Sequence, residues 1–257
     1  MLELRGITAG YPGRQILNEL SLSVPEGQLA VVVGPNGCGK STLLKTVAGI
    51  LPSAGEILLD GISVPALSSR ERAREIAFLP QNRPVPEITA EGLVLHGRFP
   101  WVGYPRRYRQ EDREAADRAM EQLGIGHLRQ RYLPELSGGE RQKVYIAMLL
   151  AQQTRVILMD EPTASLDIAN KFELMEVARE LAERGKTVLL VLHDLDLAMQ
   201  YADLVAVMAD GRICRTGTPA EVFQSGILQQ VFHIRTGEAH TPMGTQYYFL
   251  PERSANE

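Results

Sequence analysis

With 257 residues, the chain is long enough for one large domain or for a domain that carries an insertion, and 44% hydrophobic residues supply a full core. A formal net charge of −4 gives no electrostatic basis for wrapping nucleic acid, so no nucleic-acid partner is expected. The apolar runs stop far short of the roughly twenty residues that cross a bilayer, and Glu3 and Arg5 break up the first apolar residues, so no secretory leader is expected. Cys38 and Cys214 make no disulfide framework and fit a reducing compartment.

Apolar alternation over residues 2–8 and 16–24 predicts two antiparallel strands. The β-branched run Leu29-Ala30-Val31-Val32-Val33 predicts a buried strand. It leads into Gly34-Pro35-Asn36-Gly37-Cys38-Gly39-Lys40-Ser41, a complete G-x-x-x-x-G-K-[ST] phosphate loop. Residues 40–48 then predict a helix that stops at Gly49. Strand, glycine turn and helix are the context this motif needs. The glycines let backbone N–H groups turn toward an anion at the positive end of the helix. Lys40 would reach the β- and γ-phosphates, and the Ser41 hydroxyl would ligate magnesium. Cys38 reads as filling a tolerant position of the loop, in preference to a reactive thiol.

Residues 55–61 and 75–79 predict further strands, the second ending at Pro80-Gln81-Asn82. The texture changes over 83–110, which hold Pro84, Pro86, Pro100, Pro105 and several arginines. A charged helix follows over 111–123, with Ala116, Ala119, Met120 and Leu123 as its apolar stripe and Gly124 as its stop. A second helix opens at Ser137, with Val144, Ala147, Met148 and Ala151 on one face. From there strands over 156–159, 187–192 and 204–208 alternate with a helix over 170–184 and a shorter one, and 247–250 closes the chain as a strand. Alternation of this kind implies a parallel sheet covered by helices. The predicted fold is α/β: a P-loop NTPase core with a mainly parallel sheet, N-terminal antiparallel β strands and an inserted helical subdomain. Residues 1–83 and 153–257 would form the core, and 84–152 the insertion.

The strand over 156–159 ends in Asp160 and Glu161. Neighbouring strand residues face opposite ways, so the two carboxylates should have separate tasks. Asp160 suits a magnesium shell, and Glu161 suits the polarisation of an attacking water. Leu136-Ser137-Gly138-Gly139-Glu140, a serine cap followed by two glycines at a helix start, makes a second anion-binding surface. One nucleotide needs no second cradle unless another copy of the chain supplies it.

In that order, residues 34–41, Gln81, 136–140, 156–161, Ser165-Leu166-Asp167 and His193 resemble the full motif set of the ATP-binding subunits of ABC transporters, over most of residues 1–210. The resemblance implies an ATPase that binds ATP and Mg2+ and powers transport across a membrane it does not span. It implies that Pro35, Asn36, Cys38 and Thr42 line the phosphates with the rest of the loop, and that Tyr11 stacks on adenine. Gln81 would sense metal and water, His193 would bond the γ-phosphate, and Asp167 would lie at a dimer seam. Two copies would pack head to tail, each ATP between one copy's phosphate loop and the other's Ser137, Gly138, Gly139 and Glu140. A separate permease and a solute-binding protein would complete the complex, on the cytoplasmic face of a membrane, the bacterial inner membrane in particular. Glu140 departs from the family's usual glutamine and adds a negative charge beside that cradle. Soluble ABC ATPases of DNA repair or translation generally carry long coiled-coil insertions or two fused units, which are absent here. In a small P-loop kinase, residues 136–140 and His193 would have no purpose.

The segment Ile88-Thr89-Ala90-Glu91-Gly92-Leu93-Val94-Leu95-His96-Gly97-Arg98-Phe99-Pro100 is similar to the corresponding stretch in importers of iron–siderophores, haem and cobalamin, as is Leu166-Asp167-Ile168-Ala169-Asn170. By that resemblance an iron–siderophore is the first expected cargo, with haem, cobalamin or another cargo behind it.

Overall fold

The computed structural model describes residues 1–252 apart from Arg106, Ser165 and Met243, so the serine of the 165–167 motif lies outside the described residues. In chain order, β1 (Leu2–Tyr11) and β2 (Arg14–Val24) form a hairpin, and β3 (Leu29–Val33) leads into α1 (Lys40–Val47). β4 (Ser53–Leu59), β5 (Ile62–Ser63), α2 (Ser69–Glu75) and β6 (Ile76–Leu79) follow, then α3 (Ala90–His96), α4 (Gln110–Gln122) and α5 (Gly138–Gln152). The next elements are β7 (Val156–Asp160), α6 (Ile168–Glu183), β8 (Thr187–Val191), α7 (Leu195–Tyr201) and β9 (Leu204–Ala209). β10 (Arg212–Gly217), α8 (Pro219–Gln224), α9 (Ile227–Phe232) and the hairpin of β11 (Ile234–Thr241) and β12 (Gly244–Pro251) close the chain.

The central sheet has the order β10-β9-β3-β8-β7-β6, parallel except for β10. β3, β7 and β8 are buried at every position, as β-branched and leucine-rich strands covered on both faces should be. Alternation divides their side chains between two cores. Ala30, Val32, Val156, Leu158, Leu189 and Val191 join α1 and the antiparallel sheet β2-β1-β4-β5. Val31, Val33, Ile157, Met159, Val188 and Leu190 join a core shared with α3, α4, α5 and α6.

This is the α/β architecture the motif order implies, with antiparallel strands at the start and helices between β6 and β7. Several boundaries move by a few residues; α6, for one, begins at Ile168, two residues before Asn170, because Asp167 is its cap and accepts a hydrogen bond from Asn170 N at 2.8 Å. Among the described residues no helix is long and apolar enough to cross a membrane.

Candidate active site

The parallel strands deliver their C-terminal ends to one edge of the sheet, where an open α/β sheet binds its ligand. β3 runs into Gly34, β6 toward Gln81, β7 ends at Asp160 with Glu161 next, and β8 runs toward His193. Gly34 admits no side chain, since a Cβ there would lie 2.2 Å from Met208 O. Gly37 and Gly39 have φ of 79° and 113°, so the loop curls in a way that L side chains resist. Gly39 is the N-cap of α1 and provides no side-chain cap, which leaves N–H groups of the first turn available to an anion. Lys40 is buried, and its Nζ donates to Gly34 O at 2.6 Å and Pro35 O at 3.0 Å. The Cys38 thiol is also buried, and burial pushes its pKa up, away from a reactive thiolate. Tyr11 ends β1 with 44% of its surface exposed, beside the Lys45 ammonium at 3.5 Å.

The two carboxylates part as strand alternation requires. Asp160 falls on the α1 side, where Ser41 Oγ donates to its Oδ1 at 3.1 Å. It is buried, and that burial pushes its pKa up against the opposing effects of Ser41, Lys45 and Lys40. A hydroxyl and a buried carboxylate side by side are hard oxygen donors of the kind that Mg2+ takes. Glu161 has φ of 49°, a left-handed conformation that residues other than glycine seldom adopt, with its N–H bonded to Val191 O at 3.1 Å. Its Oε2 accepts from Gln81 Nε2 and its Oε1 is hydrogen-bonded to His193 Nε2. Gln81, Glu161 and His193, 112 residues apart at the extremes of the sequence (81 to 193), thus form one cluster.

Ser137 caps α5 as the sequence predicts. Its Oγ accepts from Glu140 N at 3.3 Å, while Glu140 Oε2 accepts from Ser137 N at 2.8 Å. Glu140 therefore completes a capping box, and the Ser137 hydroxyl and N–H hold its carboxyl below the ordinary value. Gly139 sits against α6, where a Cβ would come within 3.1 Å of Asn170 Nδ2. Asn170 Nδ2 in turn donates to Asp167 at 2.7 Å. Gly138 and Glu161 line the same cavity, of about 420 Å3, together with Gln81, Arg83 and Gln142.

Arg83 and Gln142 are functional candidates that sequence reasoning missed. Arg83 Nη2 donates to Gln142 Oε1 at 2.6 Å, and Gln142 Nε2 donates to Pro162 O at 2.8 Å. Arg83 also lies 4.3 Å from the Tyr145 ring centroid, and Tyr145 Oη donates to Pro84 O at 2.8 Å. The only sequence signal for them is position, two residues past Gln81 and five past Ser137.

The 88–100 segment divides into packing and exposed parts. Thr89 caps α3, and a Cβ at Gly97 would lie 2.1 Å from Met148 O, so α3 and α5 touch there. Arg98 is buried, with Nε on Asp112 Oδ1 at 3.0 Å and Nη1 on Ala151 O and Gln153 Oε1, both at 2.8 Å. Pro100 O accepts from Arg70 Nε at 2.9 Å and Arg74 Nε at 3.0 Å. Phe99 and the nearby Tyr104 are exposed.

The family model described as ABC transporter matches residues 17–164, from the middle of β2 to just past Glu161. The chain belongs to that family. It is an α/β ABC chain that binds nucleotide and hydrolyses ATP. The ferric enterobactin transport ATP-binding protein of Escherichia coli (strain K12) is 40% identical over 237 residues, which cover 90% of this chain and 88% of that protein. The iron(3+)-hydroxamate import ATP-binding protein of Bacillus subtilis (strain 168) is 40% identical over 228 residues, covering 88% and 85%. Among solved structures, a nucleotide-free ATP-binding cassette from an ABC transporter superposes with a TM-score of 0.81 at 27% identity, covering 90% of this chain and 97% of that one. A dimeric bacterial ABC transporter cassette superposes at 0.74 and 28% identity, covering 85% and 99%.

Proposed function

We propose that this chain is the ATP-hydrolysing subunit of an importer for iron–siderophore complexes. The observation that carries the catalytic part is the placement of Glu161 between Gln81 and His193, beside a phosphate loop whose Lys40 and Ser41 stand ready. Lys40 would leave the Gly34 and Pro35 carbonyls for the β- and γ-phosphates of ATP, and Tyr11 would stack on adenine. Ser41 and Asp160 would hold Mg2+, with Gln81 turned toward it; bound there, the metal supplies positive charge to the phosphate oxygens. Both oxygens of Glu161 are engaged, one by Gln81 and one by His193. Withdrawal of His193 toward the γ-phosphate and of Gln81 toward the metal would free the carboxylate to take a proton from water.

Ser137, Gly138, Gly139 and Glu140 would close over the nucleotide of a second copy in a head-to-tail dimer, with Asp167 at the seam. The division into a core (1–83 and 153–257) and a helical insertion (84–152) belongs to the same reading. The insertion would meet a separate membrane-spanning permease that works with a solute-binding protein. The chain would sit peripherally on the cytoplasmic face of a bacterial inner membrane. The cargo reading is supported by the 88–100 segment and by the siderophore transport and import proteins to which the chain is similar. Haem and cobalamin importers stand behind it, since relatives of those kinds match at a similar level.

Deleting the gene and measuring uptake of radiolabelled ferric siderophores, haem, cobalamin and a sugar tests it. Loss of ferric siderophore uptake alone is expected. Normal siderophore uptake with failure of another cargo would refute the cargo and leave the ATPase standing.

A further inference from the structure

We propose that Arg83 is a positioning residue for ATP hydrolysis, locking the helix that begins at Ser137 to the turn that carries Glu161. The inference rests on the ATPase reading above and adds to it a residue that the phosphate loop and carboxylate motifs do not include.

Gln81 and Arg83 belong to one short stretch and reach the turn after β7 by two routes. Gln81 bonds the Glu161 side chain directly. Arg83 bonds Gln142, and Gln142 bonds the carbonyl of Pro162, the residue after Glu161. A guanidinium only donates, so the oxygen of the Gln142 amide must face Arg83, and its NH2 group is left for the Pro162 carbonyl. Arg83 thereby sets which way the Gln142 amide points. That matters because Glu161 holds a φ of 49°, and a non-glycine residue keeps such a conformation only where its surroundings over-determine it. The Glu161 N–H on Val191 O, Ala164 N–H on Glu161 O and the Gln142 clamp on Pro162 provide that determination.

The same arginine also stacks on Tyr145, one helical turn beyond Gln142, and Tyr145 returns a hydrogen bond to Pro84. Loop and helix are therefore fastened at two points on one face of α5. Stability does not account for the arrangement. Arg83 Nη1 is buried without a hydrogen-bond partner among the described residues, and burial lowers the arginine's pKa. A half-buried guanidinium with one desolvated, unpartnered nitrogen adds less stability than an apolar side chain packed over Tyr145 would. What the guanidinium provides is direction. It makes the start of α5, where Ser137 stands, and the turn of Glu161 move as one body.

The groups that would hold the chain's own nucleotide lie on β1, in the loop after β3 and on α1, outside this clamp, whereas residues 137–140, which the clamp holds, would act on the nucleotide of the other copy. Losing it should therefore slow the chemical step and leave nucleotide affinity alone. The test uses the purified full chain, with steady-state ATP hydrolysis, ADP binding and thermal melting measured for Arg83→Met, Arg83→Lys, Gln142→Ala and the Arg83→Met/Gln142→Ala pair. Arg83→Met should lower kcat about tenfold, the scale of a small misplacement of a catalytic group, with KM for ATP and Kd for ADP within about twofold. Arg83→Lys, which restores a donor to Gln142, should recover kcat to within about threefold of the native chain, and the double variant should be no slower than the slower of Arg83→Met and Gln142→Ala. Native kcat in Arg83→Met, a parallel loss of nucleotide affinity, no recovery in Arg83→Lys or multiplying effects in the pair would each overturn the proposal. If Arg83→Met fails to fold, Gln142→Glu decides, because it keeps an acceptor for Arg83 and removes the donor to Pro162. Reduced kcat at unchanged KM supports the clamp, and native kcat overturns it. A native chain that hydrolyses no ATP would instead sink the ATPase reading and this inference with it.

Discussion

Glu161→Gln separates binding from chemistry, and the structure sets the size of each effect. The amide has the volume of the carboxylate. Its oxygen accepts from Gln81 Nε2, and its NH2 donates to an unprotonated His193 Nε2, so the contacts that hold Glu161 survive. The expected cost in folding stability is under about 1 kcal/mol, the net value of one exchanged hydrogen bond. What disappears is the base. A positioned general base contributes about 10²–10⁴ in rate, which at about 1.4 kcal/mol per tenfold is about 3–5 kcal/mol of barrier. Affinity for ATP should hold or rise, because a negative charge leaves the side of the site where the γ-phosphate arrives. With turnover stopped and ATP retained, the closed dimer should accumulate. The assay pairs phosphate release with gel filtration in ATP and Mg2+, and melting temperature reports on the fold. Turnover within about threefold of native, far inside the expected range for a base, would refute the role of Glu161. So would a monomer under saturating ATP while the native chain hydrolyses normally.

Lys40→Ala removes the buried ammonium that faces the loop carbonyls and should weaken ATP binding itself, measured by titration with a fluorescent nucleotide. Ser137→Arg should disable the site whose phosphate loop belongs to the other copy. Mixing the two inactive variants then yields heterodimers with one intact composite site and partial return of ATPase activity; proven heterodimers without recovery would contradict a site shared between chains. Glu140→Gln keeps the capping box and removes its charge, so above pH 4.5, the ordinary value, the native chain should melt higher, by about 1–3 °C. Because folding lowers the Glu140 pKa, its contribution is present above 4.5 and fades as pH falls through the folded pKa; a gap between the melting curves that does not narrow on acidification below pH 4.5 would contradict this.

How much of this was legible beforehand depends on whether a feature is local in the chain. The phosphate loop is eight consecutive residues whose glycines, strand and helix all announce themselves, and the observed loop follows that reading. The separate placing of Asp160 and Glu161 is legible in strand parity, although Glu161 lies one residue past β7 at a φ of 49°, and the two cores on either side of the sheet show that parity in the central strands. Glu140 was legible only in part. Its departure from glutamine reads as an added charge, but its bond to the Ser137 N–H depends on a cap geometry that the S-x-x-E spacing also encodes. Short or polar elements escaped for a different reason. α8 and α9 have six residues each, too few to show a period, and β11 reads Ile-Arg-Thr-Gly-Glu-Ala-His-Thr, with little apolar alternation to mark a strand. Arg83 and Gln142 escaped because 59 residues separate them and neither carries a pattern of its own. Their meeting is produced by the helices between β6 and β7 folding back onto the sheet's edge, so it exists only once the tertiary structure does. Chemistry that rests on one loop can be read from a string of letters. The coupling of that chemistry to a helix elsewhere in the chain is a property of packing, and the Arg83–Gln142–Pro162 chain of hydrogen bonds is the kind of contact that would create it.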